Sequence, residues 1–206
     1  MNISGSGVSV TSGAGGTQAA GAGVPGLVAE ARDAIDRLCV VVPDFPSPGI
    51  MFRDLTPVLS DARAFRAVID AISEPFAGQF DAVVGIEARG FLLAAAVAYA
   101  TGTGVVAVRK AGKLPRAVYR ESYDLEYGQA VLEIHRSDLP EGARVLVLDD
   151  VLATGGTLVA ACALLEKAGA VVVGCGVVLE LGDLGGRGSL TGRPVHALET
   201  VGHPPR

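Results

Sequence analysis

Cysteine is scarce in this chain of 206 residues: Cys39, Cys162 and Cys175 are the only three, they lie far apart, and none forms a C-x-x-C pair. That argues against a disulfide framework or a thiolate metal site. Two of the three lie in apolar segments where cysteine behaves as a small hydrophobe, so all read as reduced and structural. Long apolar runs are missing as well. No stretch of about 18 apolar residues is present to span a bilayer, and the N-terminus lacks the charged-then-apolar layout of a signal peptide, which together predict a cytoplasmic protein. Positive charge is not in excess either. Seventeen Lys and Arg against 22 Asp and Glu give a formal net charge of −5, the opposite of the clustered basic face that nucleic-acid-binding domains carry. The histidines His135, His196 and His203 have no ligand spacing and complete no Ser/His/Asp set, so they read as structural or surface residues. Chemistry on a small molecule is what these absences favour.

Half of the chain is hydrophobic and 19% is charged, enough apolar surface for one α/β domain with a substantial core. Residues 1–25 are Gly, Ser, Ala and Thr with almost no large apolar groups. They cannot offset the entropy of ordering and read as a disordered tail, leaving 26–206 as the domain. "LVAEARDAIDRLCVVV" has helical spacing and is stopped by Pro43, Pro46 and Pro48. "FRAVIDAISEPF" is a second amphipathic helix. Strands are predicted at "AVVGI", "GVVAVRK", "QAVLEIHR", "RVLVLDD" and "VVVGCGVVLEL", with helices at "FLLAAAVAYATG" and "TLVAACALLEKAGA", the latter closed by Gly169. Strands alternating with helices imply a single domain with a mainly parallel central sheet flanked by helices. The stretch "AGKLPRAVYRESYDLEYGQ" is too long and polar for an ordinary connection and reads as a long flexible active-site loop.

In such sheets ligands sit beyond the carboxyl ends of the strands, where "EARG", "RK" and "DDVLATGGT" all fall. A helix starting after "ATGGT" offers unpaired N–H groups and the positive end of its dipole, and Gly155 and Gly156 let the backbone approach an anion. Thr154 and Thr157 add hydroxyls. The G-x-x-x-x-G-K-[ST] arrangement of a triphosphate loop is absent, which leaves one monoester phosphate as the fit. Asp149 and Asp150, acceptor-only when ionised, then call for hydroxyls a few ångströms from that phosphate. Ribose 5-phosphate, with its vicinal diol, has both.

The hydrophobic strand, two acids and T-G-G-T turn of Val145–Thr157 resemble the phosphoribosyl diphosphate (PRPP) signature of the type I phosphoribosyltransferases. "PDFPSPGIMFRDLTPVL", "GIEARGF", "VRKAGKLP", "YDLEYG" and "LEIH" resemble, in that order, the adenine phosphoribosyltransferases, so the likeness runs from about Val42 to Leu184. Departures are the Gly-rich tail, Ser47 where a basic residue is common, and Ala111 where proline is common.

The resemblance implies the type I phosphoribosyltransferase fold and the reaction of adenine with PRPP to give AMP and pyrophosphate, with Mg2+ carried mainly by PRPP and no protein ligand set of its own. Asp149, Asp150, Ala153, Thr154, Gly155, Gly156 and Thr157 would hold the phosphoribosyl group. Arg89, Arg109, Lys110 and Lys113 would meet the pyrophosphate. Phe52 would pack on the purine face while backbone groups of Met51 and Arg53 read its edge. Glu126 and Tyr127 would close over the site, the glutamate taking the N9 proton or stabilising a protonated purine. Hydrophobic helices near the N-terminus, with the resemblance, point to a homodimer. Two alternatives stay open: a different nucleobase acceptor, and a non-enzymatic PRPP sensor, which would need a basic face or a helix-turn-helix.

Overall fold

The computed structural model describes residues 23–124 and 129–202. The first helix, α1 (Val24–Leu38), begins just ahead of the expected domain boundary with Pro25 in its first turn, where the missing N–H costs nothing. It ends four residues before Val42, and this corrects the helix expected to run through "VVV". The β-branched run instead forms β1 (Val40–Pro43), paired antiparallel with β2 (Met51–Asp54), Val42 opposite Phe52. The proline-rich stretch is the connection of this two-stranded hairpin. A short helix α2 (Thr56–Ser60) follows. Asp61 then caps α3 (Ala62–Ser73), its carboxylate accepting from the N–H groups of Arg63 at 3.0 Å and Ala64 at 2.8 Å.

The remaining elements in chain order are β3 (Ala82–Ile86), α4 (Gly90–Thr101), β4 (Gly104–Lys110), β5 (Val118–Asp124), β6 (Gln129–His135), β7 (Arg144–Leu152), α5 (Gly156–Lys167), β8 (Val171–Leu181), α6 (Gly186–Ser189) and β9 (Val195–Val201). Seven of the strands form one sheet in the order β5-β6-β4-β3-β7-β8-β9. Its β4-β3-β7-β8-β9 part is parallel, while β6 runs antiparallel to both β4 and β5. Besides β1 and β2 of the hairpin, two strands of this sheet were not expected from sequence. β5 occupies part of the stretch read as a structureless loop: as an edge strand it has one row of side chains in solvent, so its charges hid its alternation. β9 lies beyond Pro194, where apolar content is thin.

Alternation along β7 divides the core. Leu146 and Leu148 join the layer under α1, α3 and α4, and Val145 and Val147 join the layer under α5. This β7 spine brings its carboxyl end, with Asp149 and Asp150, to the middle of the sheet edge. Among the described residues no helix is long and apolar enough to cross a membrane. Leu146 is fully buried, so Leu146→Ala should cost about 2–5 kcal/mol. Val171→Ala, at the 53% exposed start of β8, should stay within about 0.5 kcal/mol. Urea unfolding of both variants checks the pair.

Candidate active site

β7 runs directly into a turn, Ala153–Gly155, and then into α5. Gly155 adopts φ +87°, a conformation that glycine reaches without strain. The same residue is pressed from behind: a methyl group there would stand 2.6 Å from the carbonyl oxygen of Gly186, and one on Gly186 would stand 2.1 Å from the carbonyl oxygen of Ala153. Two bare backbones therefore touch, with α6 as the floor of the turn. Ser189 Oγ donates to Thr154 O at 3.4 Å on the same side. No side chain caps α5, so its first N–H groups are free for an anion. Asp149 and residues 151–158 line a cavity of about 70 Å3 at this point.

Asp150 is 8% exposed and forms an ion pair with Arg89, the residue just before α4. The peptide joining Glu87 to Ala88 in that loop is cis. The Arg89 guanidinium also lies over the ring of Phe52 at 5.6 Å, and Phe52 in turn meets Phe45 edge-on at 5.1 Å. Phosphate turn, acid, arginine and aromatic ring are thus contiguous. Asp149 is half-buried and accepts from the Asp150 N–H at 2.9 Å. Burial, followed by repulsion from Asp150, holds its carboxyl well above the usual carboxylate range.

A second charged group lies at the end of β4. Arg109 pairs with Glu87 through Nη2 to Oε1 at 3.2 Å, and the same carboxylate accepts from the Lys110 N–H at 3.0 Å. These bonds, led by the one from Arg109, hold the Glu87 carboxyl below its ordinary value. Lys110 and Lys113 are exposed and make no ion pair among the described residues. Across the site, Thr157 Oγ1 reaches the hydroxyl of Tyr123 on β5 at 3.5 Å.

The phosphoribosyl transferase domain model matches residues 59–194 of this chain. The adenine phosphoribosyltransferase of Renibacterium salmoninarum is 69% identical over 167 residues, covering 81% of this chain and 92% of that protein. This chain belongs to the adenine phosphoribosyltransferase family. Among solved members, the enzyme from Rhodothermus marinus superposes with a TM-score of 0.80 at 46% identity, covering 84% of this chain and 99% of that one. The Saccharomyces cerevisiae enzyme, crystallised with an imino-altritol bisphosphate and adenine, gives 0.78 at 38% identity over 83% and 99%.

In this member of the adenine phosphoribosyltransferase family, the structure gathers Asp149, Asp150, Ala153, Thr154, Gly155, Gly156 and Thr157 on one strand–turn–helix unit. It joins Arg89 and Phe52 to that unit and sets Arg109, Lys110 and Lys113 at and just beyond the end of β4, which β3 separates from β7. Met51 and Arg53 flank Phe52 on β2. Arg53 turns away from Arg89, beside the thiol of Cys39 and near Glu199. Asp54 serves Thr56 rather than Arg53, accepting from its N–H at 2.9 Å and its hydroxyl at 2.6 Å. Glu126 and Tyr127 lie outside the described residues. Glu87, Tyr123 and Gly186 were not singled out from sequence. Glu87 stood inside the quoted "EARG" and had a readable signal, whereas the other two act through contacts 34 and 31 residues along the chain. His135 is buried against Asp138 at 2.9 Å and His196 lies 3.2 Å from the carbonyl of Ala71, both away from the site, and His203 is outside the described residues.

The raised carboxyl of Asp149 carries a pH signature. Unfolded, Asp149 ionises in the ordinary carboxylate range. Between that range and its folded value the native state binds more protons, so its contribution to stability falls as pH rises. Asp149→Asn should therefore be more stable than the parent at pH 7 without ligand, and the difference should shrink as pH drops toward the ordinary carboxylate range. Melting temperatures across pH check this; a variant less stable at pH 7 would overturn the account of Asp149.

Proposed function

We propose that the protein transfers the 5-phosphoribosyl group of PRPP to adenine, forming AMP and pyrophosphate in purine salvage. One observation carries this reading. A phosphate-sized pocket at a helix N-terminus, two carboxylates and an aromatic ring are linked in sequence by Arg89, in the order in which phosphate, ribose hydroxyls and base follow one another in AMP.

In this reading the turn Ala153–Thr157 holds the 5-phosphate with backbone N–H groups and the Thr154 and Thr157 hydroxyls. Asp149 and Asp150 accept from the ribose 2- and 3-hydroxyls, and Arg89 holds the Asp150 carboxylate in place for that task. Phe52 stacks on adenine, with backbone groups of Met51 and Arg53 at the ring edge. Departure of pyrophosphate leaves positive charge on the anomeric carbon, so the site's work is to stabilise the leaving anion and position the base. Arg89 and Arg109 are already paired to carboxylates, which leaves Lys110 and Lys113 as the uncommitted cations for the diphosphate. Glu126, with Tyr127, takes or shields the proton at N9.

Magnesium fits the donors present. Asp149 and Asp150 supply hard oxygen atoms beside the pocket. Bound there, it would neutralise diphosphate charge. Leu92 and Tyr99, seven residues apart on α4 and 55% and 92% exposed, with Val105 at 53% beside them, support a homodimer as a covered apolar face. Three free thiols accord with a cytoplasmic location. The domain is taken as 26–206, preceded by a dispensable tail.

Pyrophosphate release from PRPP and magnesium, with adenine, hypoxanthine, guanine or orotate as sole acceptor, tests the reading. Turnover is expected with adenine at a specificity constant at least about a hundred-fold above the others. Preference for another base would overturn the purine pocket. Replacing both Asp149 and Asp150 by Asn should raise KM for PRPP and lower kcat by about ten-fold or more with the fold intact; wild-type kinetics in the double variant would remove the acids from the site.

A further inference from the structure

Among the described residues Glu133 is the most buried charged side chain, 1% exposed. It lies in the middle of β6, directly opposite Arg109 on β4 and Arg120 on β5. A carboxylate in such a place is costly unless both oxygens are satisfied, and both are. Oε1 accepts from Arg120 Nε at 2.7 Å, and Oε2 accepts from the backbone N–H of Gly112 at 2.9 Å.

The second bond falls in the middle of the turn that bears Lys110 and Lys113. Four successive residues of that turn are held. Glu87 accepts from the Lys110 N–H at 3.0 Å, the Val131 carbonyl from the Ala111 N–H at 3.0 Å, and Glu133 from the Gly112 N–H, while Arg109 Nη1 donates to the Lys113 carbonyl at 3.4 Å. Gly112 has φ +78°, so the chain reverses sharply at the point where Glu133 grips it. Strand pairing alone would be served as well by an apolar side chain. A buried side-chain acceptor, which an apolar residue lacks, fixes the backbone donor of Gly112 by a directional bond.

We propose that Glu133 is a positioning residue for PRPP: its buried carboxylate pins the Lys110–Lys113 turn so that the two uncommitted ammonium groups are already placed for the diphosphate. This rests on the assignment of Lys110 and Lys113 to the diphosphate above. Lysine side chains lose much rotamer freedom on binding. A turn ordered in advance removes the backbone share of that loss, and the effect falls on PRPP affinity rather than on adenine.

The experiment is steady-state kinetics on the full chain for Glu133→Ala, Glu133→Gln, Lys113→Ala and the Glu133→Ala/Lys113→Ala double variant, with melting temperatures for each. Glu133→Ala is expected to raise KM for PRPP about ten-fold and to leave KM for adenine within about two-fold. Glu133→Gln should recover most of the loss, because the carboxamide oxygen still accepts from Gly112. The double variant should raise KM for PRPP by clearly less than the product of the two single effects, because part of the Glu133 effect passes through Lys113 and the rest through Lys110. If Lys113→Ala raises KM for PRPP but Glu133→Ala does not, or if the two effects multiply in full, the positioning role is overturned while the site assignment stands. If Lys113→Ala leaves KM for PRPP unchanged, the diphosphate assignment fails and the proposal falls with it. Should Glu133→Ala not fold, Glu133→Leu takes its place, since it fills the buried site but cannot accept from Gly112: KM for PRPP raised about ten-fold supports the role, and KM near wild type overturns it.

Discussion

The guanidinium of Arg89 is the contact on which the site depends. It reaches Asp150 at the end of β7 and covers the ring of Phe52 on the β1–β2 hairpin, so one planar cation ties the main sheet to a separate two-stranded sheet. Arginine suits this position because it stays charged, presents donors in a rigid fork and stacks on aromatic faces. Lysine could satisfy the acid but not organise the ring. The ion pair is largely desolvated on the Asp150 side, 12% exposed, and partly open on the Arg89 side, 40% exposed. The carboxylate thus stays fixed while one edge of the guanidinium remains accessible to ligand.

Around that contact the protein repeats one device, a carboxylate clamped by an arginine that fixes a backbone segment. Glu87 with Arg109 holds the start of the lysine turn, and Glu133 with Arg120 holds its middle. Glu180 on β8, 6% exposed, grips Arg187 of α6 through Oε1 and Oε2 at 2.9 and 3.1 Å, and Arg187 Nη1 donates to the Val195 carbonyl at 2.7 Å. That clamp keeps α6 beneath the phosphate turn, where Gly186 and Gly155 meet. A chain with a net charge of −5 can handle polyanions because many of its acids are occupied with arginines. Lys110 and Lys113, which make no ion pair among the described residues, lie together at one rim.

Much of the site was legible in sequence. The "DDVLATGGT" stretch needs only local geometry: a buried strand, a glycine turn and a helix start are set by neighbours in the chain, so the strand–turn–helix unit could be read from it directly. The strand-end positions of Arg89, Arg109 and Lys110 followed from a parallel sheet, whose ligand edge is fixed by topology. Less legible was the segment 111–124, where charge density suggested a loop although β5 pairs along its whole length with β6. Edge pairing is decided by a partner strand, not by local preference. The end of α1 was misjudged for the same reason: Val40–Val42 become a strand because β2 is opposite them.

By itself the sequence determined the alternation of strands and helices and the strand–turn–helix geometry around Asp149–Thr157. Both depend on residues close in the chain, where period and turn geometry act. Only the tertiary structure decided that Arg89 is shared between Asp150 and Phe52, that Glu133 is buried against Gly112, and that Gly186 floors the turn at Gly155. Those contacts join residues 61, 37, 21 and 31 positions apart. A carboxylate, an arginine or a glycine has no local signature of its distant partner, because the energy that selects the pairing exists only once the sheet has brought the segments together.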